Sequence, residues 1–223
     1  MLNIISKLSV LHSIYSFLIN LLPSFFIHNT SKYIAIKKIL TNLWIDQIKG
    51  DYIEFGIFTA SSFKHTINTE NRIDKNNNTL FYGLDSFEGF PENSHPFFQD
   101  KNFKSNFKKV KKLEKKFSPN VYIFKGYFSD ILKKEKKLIE VENLKFVYID
   151  CDLYISAIDP IDYIIPRLVK GSYIMIDDFT NLDSEGKSIR NLFYKKFEGH
   201  DFEITSYFGI GGVVIRYFGK NKK

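Results

Sequence analysis

Cysteine is almost missing from this chain. Cys151 is the single one in 223 residues, so a disulfide framework is excluded. The five histidines form no spacing with it that would hold a structural zinc. Arginine is scarce as well, with four (Arg72, Arg167, Arg190, Arg216) against 28 lysines. Arginine is the side chain that reads guanine edges with two parallel bonds, so dedicated sequence-specific DNA recognition is not expected. No interleaving of aromatic and basic residues offers a stacking platform for single strands. The Gly-x-Gly-x-x-Gly pattern of dinucleotide-binding turns is absent too. What is present is ordinary: 44% hydrophobic and 26% charged residues. That composition excludes wholesale disorder and a multi-span membrane protein. The length fits one domain with an appendage.

The formal charge of +7 is uneven. Residues 101–145 hold 14 lysines and five acids, a local excess of +9, so the rest of the chain sums to −2. The lysine runs have helical spacing and read first as a solvated face. Attraction of an anionic ligand or an acidic lipid surface is the alternative. Residues 8–27 carry no formal charge with His12 neutral. Ser6, Ser9, Ser13, Ser16 and Asn20 mark a narrow polar stripe, so the spacing predicts an amphipathic helix stopped near Pro23. It is expected to pack on the domain or on a second copy of the chain. A helix lying on a membrane surface and a true anchor are the other readings. A second helix is expected over 31–47, with Ser31 as its cap.

After Gly50 short apolar runs alternate with helical stretches. The runs are 52–57, 80–84, 121–124, 146–149 and 173–176, and one of the helical stretches is 154–168. This alternation predicts an α/β fold with a doubly wound, mostly parallel sheet. The last two runs, 202–207 and 213–217, are separated by five residues, too few for a helix, and should form an antiparallel hairpin. The expected division is an N-terminal helical appendage, 1–48, and an α/β domain, 49–223.

Ligands of such sheets sit at the carboxyl ends of the strands. Here those ends are acidic. Glu54 leads into Gly56, followed by Ser61 and Ser62, which supply hydroxyls and a helix cap. Asp85 ends the second run, where a carboxylate suits a ribose diol. Asp150 and Asp152 follow the fourth, and Asp177 and Asp178 the fifth. Carboxylates crowded at adjacent strand ends raise one another's pKa unless a cation intervenes. Asp150, Asp177 and Asp178 are therefore the expected ligands of a hard divalent cation such as Mg²⁺.

Five segments now carry a resemblance. They are Gly-Asp-Tyr-Ile-Glu-Phe-Gly-Ile-Phe-Thr-Ala-Ser-Ser (50–62), Gly-Leu-Asp-Ser-Phe-Glu-Gly-Phe-Pro (83–91), Gly-Tyr-Phe-Ser-Asp-Ile-Leu (126–132), Tyr-Ile-Asp-Cys-Asp-Leu-Tyr (148–154) and Pro-Arg-Leu-Val-Lys-Gly-Ser-Tyr-Ile-Met-Ile-Asp-Asp-Phe (166–179). In this order they resemble the macrocin O-methyltransferase-like family of class I S-adenosylmethionine-dependent methyltransferases. More distantly, the acids are similar to the magnesium site of catechol O-methyltransferase. The resemblance implies a Rossmann-like seven-stranded sheet and O-methylation of a sugar in a glycan or secondary metabolite. By position it places Glu54 and Gly56 in the loop at the methionine end of S-adenosylmethionine, and Ser61 and Ser62 are also expected to bind the cofactor. Asp85 would hold the ribose, Ser86 and Phe87 would lie towards the adenine, and Gly126, Phe128 and Asp130 would line the adenine pocket. Asp150 would also assist deprotonation of the acceptor hydroxyl. Ala60 stands where the family often has a second glycine. The loop 86–99 is a candidate lid.

The implied partners are a small-molecule or glycan acceptor and no nucleic acid. Self-association and peripheral membrane contact through the N-terminal helix are further expectations, at a cytoplasmic location. The rival readings are a nucleotide-sugar or NAD-dependent enzyme and a non-catalytic membrane-associated binding protein.

Overall fold

A computed structural model describes residues 2–90, 103–183 and 185–221, with the side chains from residue 11 onward. The elements run α1 (Leu2–Leu21), α2 (Ser24–Ile45), β1 (Asp51–Phe55), α3 (Ser61–Ile73), β2 (Phe81–Asp85), α4 (Phe107–Lys116) and β3 (Val121–Lys125). They continue with α5 (Phe128–Lys134), α6 (Lys136–Ile139), β4 (Leu144–Ile149), α7 (Tyr154–Ile164), a 3-10 turn (Ile165–Arg167) and β5 (Leu168–Ile176). The chain closes with α8 (Ile189–Lys196), β6 (His200–Phe208) and β7 (Gly212–Lys220). The seven strands pair in the order β3-β2-β1-β4-β5-β7-β6. β1 to β5 are parallel, whereas β7 runs antiparallel to both β5 and β6. The doubly wound sheet and its terminal hairpin are thus as the alternation predicts.

Strand alternation sorts the core into two layers. Ile53, Phe55, Val147, Ile149 and Ile174 face the side covered by α7 and α8, with Ile161, Ile164 and Phe193. Tyr52, Phe146, Tyr148, Tyr173 and Met175 face the other side, against Ile36, Leu40 and Leu43 of α2 and Phe63 of α3. All six residues of β4 are buried, as a central parallel strand requires.

The helical appendage differs from expectation in two ways. Nothing between Ser24 and Ser31 breaks a helix, so α2 begins directly after Pro23 and Ser31 is interior. The Ser31 hydroxyl donates to the His28 carbonyl at 2.7 Å and accepts the Gly209 N–H at 2.7 Å, so it fastens the β6–β7 turn instead of capping. α1 departs from α2 at a bend of 113°. Its Leu11, Ile14, Tyr15, Phe17, Leu18 and Leu21 are 51–64% exposed, so these described side chains are not packed on the domain of the same chain. Among the described residues no single helix is long and apolar enough to cross a membrane.

Candidate functional site

The order β3-β2-β1-β4-β5 places the switch in chain direction between β1 and β4. In sheets of this kind ligands bind there, outside the carboxyl ends of the strands. On one side stand the ends of β1, β2 and β3. Gly56 has φ +92°, and a Cβ on it would lie 1.8 Å from the Asp150 carbonyl oxygen, so only glycine lets the β1 turn close on β4. Asp85 accepts the Phe58 N–H at 2.7 Å and the Phe87 N–H at 2.5 Å. Burial pushes its pKa up, and the two backbone bonds oppose that shift. Two bonds leave about half of a carboxylate's acceptor sites free, which fits a diol. Gly126, at φ +150°, bonds through its N–H to the Asp85 carbonyl at 3.0 Å. Gly56, Asp85 and Gly126 thus close three neighbouring strands.

The other residues assigned to the cofactor are less alike. Phe128 packs edge-on against Phe55, with ring centroids 5.4 Å apart. Ser86 accepts the Glu88 N–H, and Phe87 is buried against Phe107. Ser61 is exposed and meets only Thr59 through its hydroxyl. Glu54 is sealed inside, where it accepts from the Tyr52 hydroxyl and from Ser62 Oγ at 2.5 Å. Burial pushes its pKa up to about 8, so at neutral pH it is mostly a neutral acid. Glu54 and Ser62 therefore brace the β1–α3 turn from within. Asp130 stands apart. Its carboxylate is exposed and pairs with Lys134 one helical turn on, because its place on α5 faces solvent. Ala60 takes up φ +62° immediately before α3, the left-handed conformation that explains a glycine preference. The expected lid lies outside the described residues beyond Phe90.

Across the switch are the four aspartates. Asp150, Asp152 and Asp178 bring one oxygen each to within 4.8 Å of one another. Burial raises the pKa of both Asp152 and Asp178. Asp178 accepts from Asn181 Nδ2 at 2.5 Å. Both residues have positive φ, 57° and 47°, unusual for a residue with a side chain. Three half-buried carboxylates, two on strained backbone and none of them neutralised in full, form the donor set that a hard cation takes.

Asp177 does not join them. Its N–H still bonds the Ile149 carbonyl, so it continues the β5 ladder, and alternation sends Asp177 and Asp178 to opposite faces. Asp177 faces α2. There Lys32 Nζ lies 2.9 Å from its Oδ2 and 3.1 Å from Asp150 Oδ2. The Tyr148 hydroxyl donates to the same Oδ2 at 3.1 Å. The Ile210 N–H donates to His28 Nδ1 at 3.2 Å, so the neutral ring carries its proton on Nε2, 3.2 Å from Asp177 Oδ2. Although burial works to raise it, the His28 bond and the Lys32 charge hold the Asp177 pKa below the usual carboxylate range. Of the expected ligands Asp150, Asp177 and Asp178, the geometry brings Asp150 and Asp178 together with Asp152, while Asp177 is paired with Lys32 and His28.

Sequence reasoning missed His28 and Lys32. A signal existed: Lys32 lies on the same stripe as the apolar Ile36, Ile39 and Leu43, and His28 is one turn before it. A lysine within an apolar stripe needs a buried acid to meet.

Known proteins agree with this architecture. The macrocin-O-methyltransferase (TylF) family profile matches residues 30–199. The fold is similar to that of the O-methyltransferase NovP, at TM-score 0.67 and 17% identity over 86% of this chain and 80% of that one. It is also similar to the calicheamicin methyltransferase CalS11, at 0.69 and 16% over 89% and 84%. A second, apo structure of CalS11, described as a TDP-rhamnose 3'-O-methyltransferase, matches at 0.62 and 15% over 89% and 85%. No curated protein sequence matches the chain significantly.

Proposed function

The chain belongs to the macrocin-O-methyltransferase (TylF) family of S-adenosylmethionine-dependent O-methyltransferases, and from that premise we propose that it methylates a sugar hydroxyl with the help of a Mg²⁺-like divalent cation. The observation that carries the finer reading is the group Asp150, Asp152 and Asp178, set across the strand switch from Gly56, Asp85 and Gly126. When bound, the cofactor supplies an electrophilic methyl group, and the cation a Lewis acid that favours the ionised hydroxyl. The chain's own residues do the rest. Asp85 accepts from the ribose hydroxyls. The glycine turns let the backbone approach the cofactor closely. Asp150 is the group that takes the proton of the acceptor hydroxyl. Burial and the charge of Asp177 raise its affinity for a proton, and Lys32 tempers that rise. Holding donor and acceptor in line at attack distance supplies the remaining acceleration. A sugar acceptor is supported by the family and by the TDP-rhamnose activity named for CalS11.

Calorimetry with S-adenosylmethionine tests the reading. The wild type should bind it, and Asp85→Ala should weaken binding at least tenfold, about 1.4 kcal/mol. Asp150→Asn should keep cofactor affinity and lose turnover. A folded wild type that does not bind the cofactor would end this proposal.

A further inference from the structure

The first 45 residues differ from the rest of the chain in charge. They contain Lys7, Lys32, Lys37 and Lys38 but no aspartate or glutamate, so they carry +4 of the total +7. Lys32 turns inward to Asp150 and Asp177, whereas Lys37 and Lys38 are exposed. The same segment holds most of the uncovered apolar surface. Among the described residues, thirteen of the twenty exposed large apolar side chains lie between Leu11 and Ile45. At 3.6 residues per turn, His12, Ser13, Ser16 and Asn20 of α1 fall within about 100° of arc, and the rest of Leu11–Leu21 is apolar. Tyr15 and Phe17 stand about 160° apart around that helix, and both are more than 60% exposed. The bare apolar surface is therefore far wider than the seam of a helix pair. In α2 the inner face buries Ile36, Ile39, Leu40 and Leu43. The opposite face carries Ile34, Trp44 and Ile45, all exposed, with Lys37 and Lys38 among them.

We propose that α1 and the outer face of α2 form a docking surface for an acidic lipid bilayer, on which the two helices lie. The inference goes beyond methyl transfer and does not depend on it. Apolar side chains gathered in the open mark an interaction site, and here the charge names the partner. Lysine stems lie along an apolar surface while their ammonium groups reach anionic headgroups, and no carboxylate in the segment repels those headgroups. Lying on the surface, as opposed to crossing it, follows from length and composition: among the described residues no single helix is long and apolar enough to span. A second copy of the chain fits less well. A two-fold dimer joins the same patch to itself, so Lys37 and Lys38 would meet like charge with no acid of the segment to offset it. The surface is also fixed relative to the strand ends, because His28, Ser31 and Lys32 fasten α2 to the β6–β7 turn and to the ends of β4 and β5.

The test is flotation of the full chain with vesicles of phosphatidylcholine mixed with phosphatidylglycerol, and with vesicles of phosphatidylcholine alone. Trp44 is the single tryptophan, so its emission reports on the outer face of α2. The wild type should bind the mixed vesicles at least tenfold more tightly than the neutral ones, lose that preference as salt rises, and shift its Trp44 emission to the blue on binding. Lys37→Glu combined with Lys38→Glu should weaken binding to the mixed vesicles at least tenfold. Leu18→Asp combined with Phe25→Asp should do the same, with folding checked by circular dichroism. If the aspartate pair does not fold, the lysine reversal decides, since both lysines are exposed. A wild type that stays with neither vesicle, or that binds both equally, overturns the inference. Binding without a change in Trp44 emission overturns it as well, because α2 would then not lie on the surface. Sedimentation velocity covers the other occupant: a wild-type dimer that Leu18→Asp with Phe25→Asp splits into monomers, in a protein that does not float, makes the partner a second copy and ends the lipid proposal.

Discussion

Strand β4 carries a charge problem at each end, and the two ends answer it differently. Near its start, Lys145 is buried and bonded to Glu70 Oε1 at 2.6 Å and to Thr79 Oγ1 at 2.8 Å. Glu70 takes a further bond from Thr79 at 3.2 Å, and both charged residues are under 7% exposed. Every charge there has its opposite inside the fold. Past its end, Asp150 and Asp152 face Asp178 with three carboxylates together and only the edge of Lys32 to offset them. Glu54 on the adjoining strand is a third case, an acid made neutral and held by hydroxyls. Burial of an acid therefore marks nothing by itself. A buried acid that the fold has provided with a partner belongs to the scaffold, and acids gathered without one are waiting for a ligand.

The largest expected effect is at the paired end. Lys145→Met strands Glu70 in the core and should cost about 3–5 kcal/mol, read as a lowered denaturant midpoint. A variant as stable as wild type would break the contrast. Glu54 should be visible in pH dependence. Its pKa is raised on folding from 4.5 to about 8. The unfolded chain releases that proton first, so the contribution of Glu54 is complete below pH 4.5 and is lost as pH rises towards 8. Between pH 5 and pH 8 the wild type should lose about 3–4 kcal/mol more than Glu54→Gln, by urea unfolding at each pH. Parallel curves for the two proteins would show that Glu54 is already ionised. The smallest effect is at the unpaired end. Without metal, Asp152→Asn removes the like-charge repulsion that appears as the crowded acids ionise, at a residue with φ 57° that asparagine tolerates, and should stabilise by about 1 kcal/mol at alkaline pH. A loss of stability would mean that Asp152 already has a cationic partner.

The sheet was legible because each strand is a short apolar run between helical periods, and the five-residue gap before residue 213 left room only for a hairpin. The acids were legible because they end those runs. Their partition was not. Asp177 and Asp178 are adjacent in sequence, and their separation to opposite faces depends on β5 staying paired through Asp177. Asp130 resembles a site residue by motif, yet its helix turns it to solvent. Ser31 has the chemistry of a cap, but no break before it lets a helix begin there.

Sequence alone determined the order of elements, the hairpin and the acidic strand ends, since these follow from local periodicity and from the residues where it stops. Tertiary structure alone decided which acids share a space. His28 and Lys32 lie 118 or more residues from the acids they meet. A charge's partner is set by distance across the packed core, and no local pattern encodes that distance.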